Sequence, residues 1–243
     1  MPAARALFPV SLQKLPSSRP FRRFAPLPVL LAVGLLLGLS ACRTVKKEWD
    51  VPTGPAFEPR NFTSAGAIPS SIRRVAVLPL HSETWPATQL APIEAAFAAE
   101  LVKVERFETV TVTRAQMREE FGREQMLSSA ALPSDVLDRL RATHGADAIL
   151  FQDLTHYSPY QPIAIGVRSK LVATADGRVL WSFDTIFDGA QPSVAVAARQ
   201  YYLAESRPAH PLDNAAGIMQ SPSRFAKYVA HAVFGTLPPR QVR

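Results

Sequence analysis

The chain has 243 residues, 47% of them hydrophobic, and the part that follows an apolar N-terminal stretch is long enough for one domain with its own core. Five of the 27 basic residues and none of the 20 acidic ones precede residue 43, so residues 43–243 carry 22 basic against 20 acidic side chains. This near balance gives no electrostatic basis for binding nucleic acid. The single cysteine, Cys42, excludes a disulfide within the chain and a zinc site built on cysteines.

The apolar stretch near the N-terminus predicts export. Residues 26–42 read PLPVLLAVGLLLGLSAC and follow a basic lead that contains Arg19, Arg22 and Arg23. A basic lead, a short apolar run and small residues before a cleavage site are typical of a secretory signal peptide. The run at 27–39 has thirteen residues. As a helix it would span only about 20 Å, whereas the hydrocarbon core of a bilayer is roughly 30 Å thick. An uncleaved transmembrane anchor is therefore the poorer interpretation.

The end of this stretch resembles the lipobox of bacterial lipoproteins, because Leu39, Ser40 and Ala41 precede Cys42. In that family the cysteine thiol is acylated and the cysteine becomes the first residue after cleavage. The resemblance implies that residues 1–41 are removed and that several acyl chains hold the protein at the membrane. A single acyl chain would bind a membrane only marginally. The next residue is arginine and not aspartate, which in this family favours lipid anchoring at the periplasmic face of the outer membrane.

The mature chain is predicted to begin with a tether. Residues 42–71 contain four prolines and two glycines and show no apolar period, which predicts an extended, largely disordered segment. A periplasmic domain is predicted over 72–237. The two prolines that follow, Pro238 and Pro239, indicate a tail at 238–243.

The domain alternates strand and helix signals. In chain order, the predicted elements are a buried strand at 74–80, an amphipathic helix at 90–104, a strand at 107–112, a helix begun by the capping box of Thr113 and Gln116, a helix begun by Ser134 and ended by Gly145, a buried strand at 146–151, an alternating strand at 163–174, an Asp176-Gly177 hairpin turn, a strand at 179–187, and helices at 193–204 and 223–234. This order predicts an α+β fold, or three-layer α/β fold, with helices packed on a mixed sheet.

Three stretches of this domain carry a second resemblance. RVAVLPL at 74–80, GADAIL at 145–150 and DGRVLW at 176–181 resemble the periplasmic lipoprotein domain shared by three proteins. These are the curli secretion lipoprotein, the penicillin-binding-protein activator lipoprotein and the N-terminal domain of the Tol-Pal beta-propeller protein. Through Phe187-Asp188 and SPSRF at 221–225, the chain is more similar still to envelope lipoproteins of unassigned function. The resemblance implies a fold and a location but no activity, and the strand connections are too short for the transmembrane hairpins of a curli-type pore.

Candidate chemistry is sparse. Asp153 and His156 stand three residues apart at the end of a predicted strand, and strict alternation would point them to opposite faces. We therefore expect a solvated strand end there and not a metal pair or a catalytic dyad. The other histidines have no liganding spacing, and the chain lacks the phosphate-loop, dinucleotide, serine-elbow and HExxH motifs. The sequence predicts no catalytic residue, no metal site and no cofactor.

The best surface candidate is the stretch HYSPYQP at 156–162. Two prolines stiffen a predicted loop that presents Tyr157 and Tyr160, and aromatic anchors on pre-organised loops suit partner binding. The alternative is that the two tyrosines pack over the edge of the sheet.

The sequence thus predicts a non-enzymatic, lipid-anchored accessory or docking protein in envelope assembly or secretion. Its expected partner is another envelope protein or a glycan. Two alternatives stay open. One is a lipid-anchored envelope hydrolase that uses Ser158 or Asp153 with His156. The other is a ring-forming secretion subunit. The sequence fixes neither the oligomeric state nor the identity of the partner.

Overall fold

The computed structural model describes residues 53–133, 135–205 and 215–241. In these ranges, six strands form one mixed sheet in the order β1-β6-β5-β4-β2-β3. The strands are β1 (Phe62–Ser64), β2 (Arg74–Val77), β3 (Glu108–Thr111), β4 (Ala148–Ser158), β5 (Ala164–Ala173) and β6 (Val179–Asp188). The helices are α1 (Ala87–Lys103), α2 (Arg114–Phe121), α3 (Val136–His144), α4 (Pro192–Glu205) and α5 (Pro222–Gly235), with a 3-10 helix at Ala215–Gln220. The α+β prediction is confirmed.

None of the helices in the described ranges combines the length and the apolar character that crossing a membrane requires.

In the parallel half of the sheet, the central strand β2 is buried on both faces. β2 pairs in parallel with β3 on one side and with β4 on the other. Because the crossovers β2–α1–β3 and β3–α2–α3–β4 run in opposite directions along the sheet, right-handed connections place their helices on opposite faces. Accordingly, Leu90 and Phe97 of α1 are buried in one core cluster, and Met117 of α2 and Leu140 of α3 in the other.

The antiparallel half of the sheet is formed by β4, β5, β6 and β1. Its inward residues alternate along the strands as predicted. Ile165, Leu171, Trp181 and Phe187 are buried in the same cluster as the apolar faces of α1, α4 and α5. One face of the sheet is therefore covered from β2 to β6.

On the other face, the described helices leave β5, β6 and β1 uncovered. The core cluster under α2 and α3 includes only Val172 from these three strands. Beyond it, Arg168 pairs with Asp184 and Lys170 with Ser182 in the strand register. We call this surface the open face; it is formed by Thr63, Gly166, Arg168, Lys170, Ser182, Asp184 and Ile186.

Local signals in the sequence predicted several boundaries correctly. The capping box of Thr113 and Gln116 begins α2, and Gly145 ends α3 in the left-handed conformation. Gly177 has a φ of +70° in the turn between β5 and β6, although this connection spans 174–178 and is longer than a two-residue turn. The predicted cap Ser134 lies outside the described residues.

The predicted tether is wrong over 57–71, because this stretch is part of the fold. β1 adds an antiparallel strand to the edge of β6. The ring of Phe57 lies 5.5 Å from that of Phe187, and Ile68 is 1% exposed. The backbone of this stretch pairs with the free edge of β6, and its apolar side chains pack against the core. The prolines are therefore typical of an extended segment here and not of a disordered one. Residues 42–52 lie outside the described ranges.

The predicted tail at 238–243 is likewise wrong over 238–241. The N–H of Ile68 donates to the carbonyl of Pro239 at 2.9 Å, and the N–H of Gln241 donates to the carbonyl of Ile68 at 2.8 Å. The guanidinium of Arg106 donates to the carbonyls of Leu237 and Pro238. These bonds join the two ends of the domain, which extends from residue 57 to residue 241.

β4 contains a bulge at Thr155. Leu154 pairs with Val167 and His156 pairs with Gly166, so Thr155 is one residue more than β5 can match. A β-carbon at Gly166 would lie 2.7 Å from the Thr155 Oγ1 and 2.9 Å from the His156 Cβ. The bulge therefore requires glycine at position 166.

We predict that Gly166→Ala lowers the free energy of unfolding by about 1–3 kcal/mol, because the added methyl overpacks the bulge. Gly235→Ala is the matched control. Its β-carbon would have nothing within 4 Å at the end of α5, so we expect it to be neutral or slightly stabilising. Urea unfolding of the purified proteins measures both changes. A loss at Gly166 no larger than at Gly235 would contradict the account of the bulge.

Candidate functional site

The open face is polar and ordered by its own hydrogen bonds. The Arg168 Nε donates to the Asp184 Oδ2 at 2.8 Å, and the two side chains are 34% and 42% exposed. The hydroxyls of Thr63 and Ser182 lie 2.7 Å apart across β1 and β6. The Lys170 Nζ donates to the carbonyl of Ser128 at 2.9 Å. Charged groups are thus held in fixed positions on strands.

Two hollows adjoin one another on this side of the sheet. The first, of about 210 Å³, lies over the open face and is lined by residues such as Arg168, Lys170 and Asp184. The second, of about 280 Å³, is lined by Arg168 together with residues that include His81, Glu83 and Asp153. Arg168 lines both hollows, which we together call the polar groove, and their charged groups can pair with a partner's polar atoms.

Asp153 is buried at one end of this groove. It is 1% exposed, and its carboxylate accepts the backbone N–H of Ser128 at 3.0 and 3.2 Å as well as the Ser128 hydroxyl. The expectation of a solvated strand end is wrong for Asp153, because the segment after α2 closes over β4 at this point. The carboxylate fastens that segment to the sheet.

The prediction that the Asp153 and His156 side chains point to opposite faces of the sheet is wrong, because of the bulge. Asp153 pairs with Arg168 and His156 with Gly166, and these partners are two residues apart on one strand. The two side chains therefore share a face, because strict alternation ends at the extra residue Thr155.

The residues weighed for a hydrolase nevertheless have separate surroundings. Asp153 is bonded to Ser128, His156 is exposed, and the Ser158 hydroxyl donates to the carbonyl of Tyr160 at 3.4 Å. Within the described residues, no group of three or more His, Cys, Asp or Glu side chains could hold a metal ion.

The two predicted partner-binding tyrosines differ in their surroundings. Tyr157 lies in β4 and not in a loop, and its ring meets that of Trp85 edge to face at 5.1 Å. Burial raises the pKa of the Tyr157 hydroxyl, as expected for a ring packed against the core. Tyr160 is 81% exposed at the tip between β4 and β5. Of the pair, Tyr160 alone presents its ring to solvent.

The predicted lipidation site is a separate element of the candidate site. Leu39, Ser40, Ala41 and Cys42 lie outside the described residues. They remain predictions from the sequence.

A further group of titratable side chains is internal and links helices. Glu100 of α1 is 2% exposed, and its Oε1 accepts the Lys103 Nζ and the Tyr201 hydroxyl of α4, each at 2.8 Å. His231 of α5 lies 3.7 Å from the Glu100 Oε2. Burial, and then the bond to Glu100, raise the pKa of Tyr201. These bonds compensate a buried carboxylate between packed helices, so we assign the group to the fold.

Sequence reasoning missed the open face and the groove. The signal was present, because Gly166, Arg168 and Lys170 alternate with inward residues of β5, and Ser182 and Asp184 do so in β6. The alternation of residues does not indicate which face of the sheet the helices leave uncovered.

No protein-family model matches the chain, and a search of curated proteins finds no match to it. Solved structures are similar in part. A PelC dodecamer from Paraburkholderia phytofirmans matches at 14% identity and a TM-score of 0.40, over 74% of this chain and 96% of that one. Lipoprotein GNA1162 from Neisseria meningitidis matches at 20% identity and a TM-score of 0.38, over 55% and 98%. The LpoB C-terminal domain from Salmonella enterica matches at 17% identity and a TM-score of 0.35, over 51% and 86%.

Envelope lipoproteins of the group that the sequence motifs resemble are thus among the similar structures. Every TM-score is below 0.5 and every identity below 25%. The likeness is distant, and it carries no partner or activity over to this chain.

Proposed function

We propose that the chain is a lipid-anchored periplasmic lipoprotein that acts without catalysis, as an accessory or docking protein in envelope assembly or secretion. The observation that carries this proposal is the open face, where the described part of the chain presents charged and apolar side chains on a sheet with no helix over them. The proposed anchor is Cys42, at the periplasmic face of the outer membrane.

The open face has the composition of a docking surface. Ile186 is 52% exposed on β6, close to the end of the sheet that carries Tyr160, and the Arg168–Asp184 pair lies on the same face. Tyrosine and arginine are the residues that most often dominate binding energy at protein interfaces. Because strands hold these groups in position before binding, little conformational entropy is lost when a partner binds. We therefore take the partner to be another envelope protein, with a glycan as the other outcome of the test.

The fold limits how far from the membrane this docking can occur. With Phe57 already part of the domain, fourteen residues separate it from Cys42. Fully extended, they reach at most about 50 Å. The tether predicted from the sequence alone, at 42–71, has 29 residues after Cys42. A partner must therefore have its own docking surface near the membrane that holds the anchor.

A hydrolase is the weaker proposal. It requires an acid and a nucleophile that converge on one point. Asp153 is bonded to Ser128, whereas Ser158 bonds to its own loop. The Ser158 hydroxyl thus donates to a backbone carbonyl and not to the carboxylate or imidazole that would have to activate it.

We predict that a photo-crosslinking amino acid at Ile186 or Tyr160, in the full-length lipoprotein in its own cells, captures a defined envelope protein that mass spectrometry identifies. The same amino acid at Val102, which is 60% exposed on α1, is the control and should capture nothing specific. Arg168→Glu should reduce the adduct at Ile186 several-fold, because it breaks the pair with Asp184 and reverses the charge of the face.

Four outcomes of this experiment are informative. Equal yields of adduct at Val102 and Ile186 would contradict docking through the open face. The absence of an adduct at both Tyr160 and Ile186 would contradict it as well. Adducts between two copies of the chain would favour the ring-forming subunit over an accessory protein. An adduct with glycan and with no protein would overturn the choice of a protein partner.

We predict that metabolic labelling with an alkynyl fatty acid marks the wild-type chain and fails to mark Cys42→Ser, because the thiol is the acylated group. Ser40→Ala keeps a small residue before the cleavage site and should be labelled like the wild type. Labelling that persists in Cys42→Ser, or that is missing from the wild type, would refute the lipid anchor.

A further inference from the structure

The guanidinium of Arg168 on the open face is bonded on one side and free on the other. Its Nε donates to the Asp184 Oδ2 at 2.8 Å. Among the described residues, neither Nη1 nor Nη2 of Arg168 has a hydrogen-bond acceptor. These two nitrogens form the planar end of the group, which can donate to both oxygens of one carboxylate. The bond to Asp184 therefore orients a guanidinium whose bidentate end is still available.

Lys170 supplies a second positive charge on the same face. Arg168 and Lys170 stand two residues apart on β5, so their side chains leave the same face of the sheet. Both line the first hollow, of about 210 Å³, together with Asp184. The Lys170 Nζ uses one of its three N–H groups on the carbonyl of Ser128. With two cations and one carboxylate, the lining of this hollow has an excess of one positive charge.

Hydroxyl groups add uncharged donors to the first hollow. The hydroxyls of Thr63 and Ser182 lie 2.7 Å apart, so one of them donates to the other. The second hydroxyl hydrogen has no acceptor among the described residues. Ser129, which is exposed, lines the same hollow. Free donors around an excess positive charge favour an anionic ligand.

The second hollow has the opposite balance of charge. With its histidine neutral, its charged side chains are Arg168 and the two carboxylates of Glu83 and Asp153. An acidic group that approached Arg168 from this side would share the hollow with two like charges. In the first hollow it would instead lie beside Lys170. The first hollow is therefore the side from which an anion can bind.

We propose that the first hollow binds the side-chain carboxylate of an aspartate or glutamate of the partner protein, with Arg168 Nη1 and Nη2 donating to its two oxygens. Because the carboxylate belongs to the partner that docks at the open face, this assignment rests on the proposed function. One negative charge neutralises the lining, whereas the charge of a phosphate monoester, close to two at neutral pH, would leave an excess of negative charge. A cavity of about 150 Å³ holds benzene, so the hollow has room for a carboxylate and its methylene group.

The test uses the full-length lipoprotein in micelles of an uncharged detergent, with ¹⁵N-labelled arginine, at constant ionic strength. N-acetyl-aspartic acid amide is the probe, because it carries a single side-chain carboxylate. N-acetyl-asparagine amide, which has nearly the same shape and no charge, is the matched control. We expect the probe to shift the Nε signal of Arg168 saturably and the control to leave it unchanged. Half-saturation should lie in the millimolar range, because an ion pair open to solvent binds weakly.

Three variants assign this shift. Arg168→Gln should remove the shifted signal and so identify it. Lys170→Gln should weaken the binding of the probe at least threefold, because the second cation is gone. Arg178→Gln is the matched control and should bind the probe like the wild type. The Arg178 Nε also lies near a carboxylate, 3.8 Å from the Asp176 Oδ2, but Arg178 lies in the turn between β5 and β6 and lines neither hollow.

The wild-type chain alone can overturn the proposal, so the test does not depend on the stability of a variant. An unsaturable shift, an equal response to N-acetyl-asparagine amide, or tighter binding of methyl phosphate than of the probe would each do so. Unchanged affinity in Lys170→Gln would overturn it as well.

Failure of this proposal differs from failure of the proposed function. If the crosslinking amino acid at Ile186 captures an envelope protein and the probe does not bind, docking stands and the carboxylate site is wrong. If the probe binds and no protein is captured, the hollow accepts a carboxylate, but docking through the open face is wrong.

Discussion

The described helices cover one face of the sheet from β2 to β6 and the other face only as far as β5, and the rest of the structure depends on this imbalance. The face under α1, α4 and α5 is apolar over these strands, as a buried sheet requires. The face under α2 and α3 is apolar only as far as Val172 of β5. Beyond that point, alternate positions carry Arg168, Lys170 and Asp184, which can face water. On this uncovered half, a partner can reach the face of the sheet directly.

The two ends of the domain depend on the same sheet. β6 would be an edge strand, with its N–H and C=O groups open to pairing with another chain, and β1 covers part of that edge. Ile68 then joins the first residues of the domain to the last through its bonds with Pro239 and Gln241. The segment between the proposed anchor and the domain is shortened as a result. A longer tether would let the open face search a larger volume, whereas with the proposed anchor at Cys42 this fold would keep it near the membrane.

The sequence predicted correctly the features that depend on residues close together in the chain, and it failed where the structure depends on residues far apart in the chain. The strands β2, β3, β5 and β6, the Thr113–Gln116 capping box and the Gly145 helix end are set by neighbouring residues, and the structure has them where the pattern indicates. It also has β1 in the predicted tether, and β4 extends to Ser158, past the predicted end at 151. The bulge at Thr155 depends on a glycine in the next strand, so strict alternation gave Asp153 and His156 the wrong directions. Tertiary packing likewise overrode the prolines of 57–71. The polar residues of the open face alternate with buried residues along β5 and β6, so the sequence indicated a polar face. Only the folded chain shows which face of the sheet the helices leave uncovered.

Thiol reactivity in intact cells tests most directly whether a lipid-anchored domain is docked through its open face. Cys42 is the only cysteine, and we expect it to be acylated, so Ile186→Cys would carry the one free thiol. We predict that a maleimide able to enter the periplasm labels Ile186→Cys at least tenfold more slowly in cells than in the purified lipoprotein. Val102→Cys should label equally in both, and the unsubstituted chain should not label. Equal rates for Ile186→Cys in cells and in solution would contradict docking, and labelling of the unsubstituted chain would contradict the anchor.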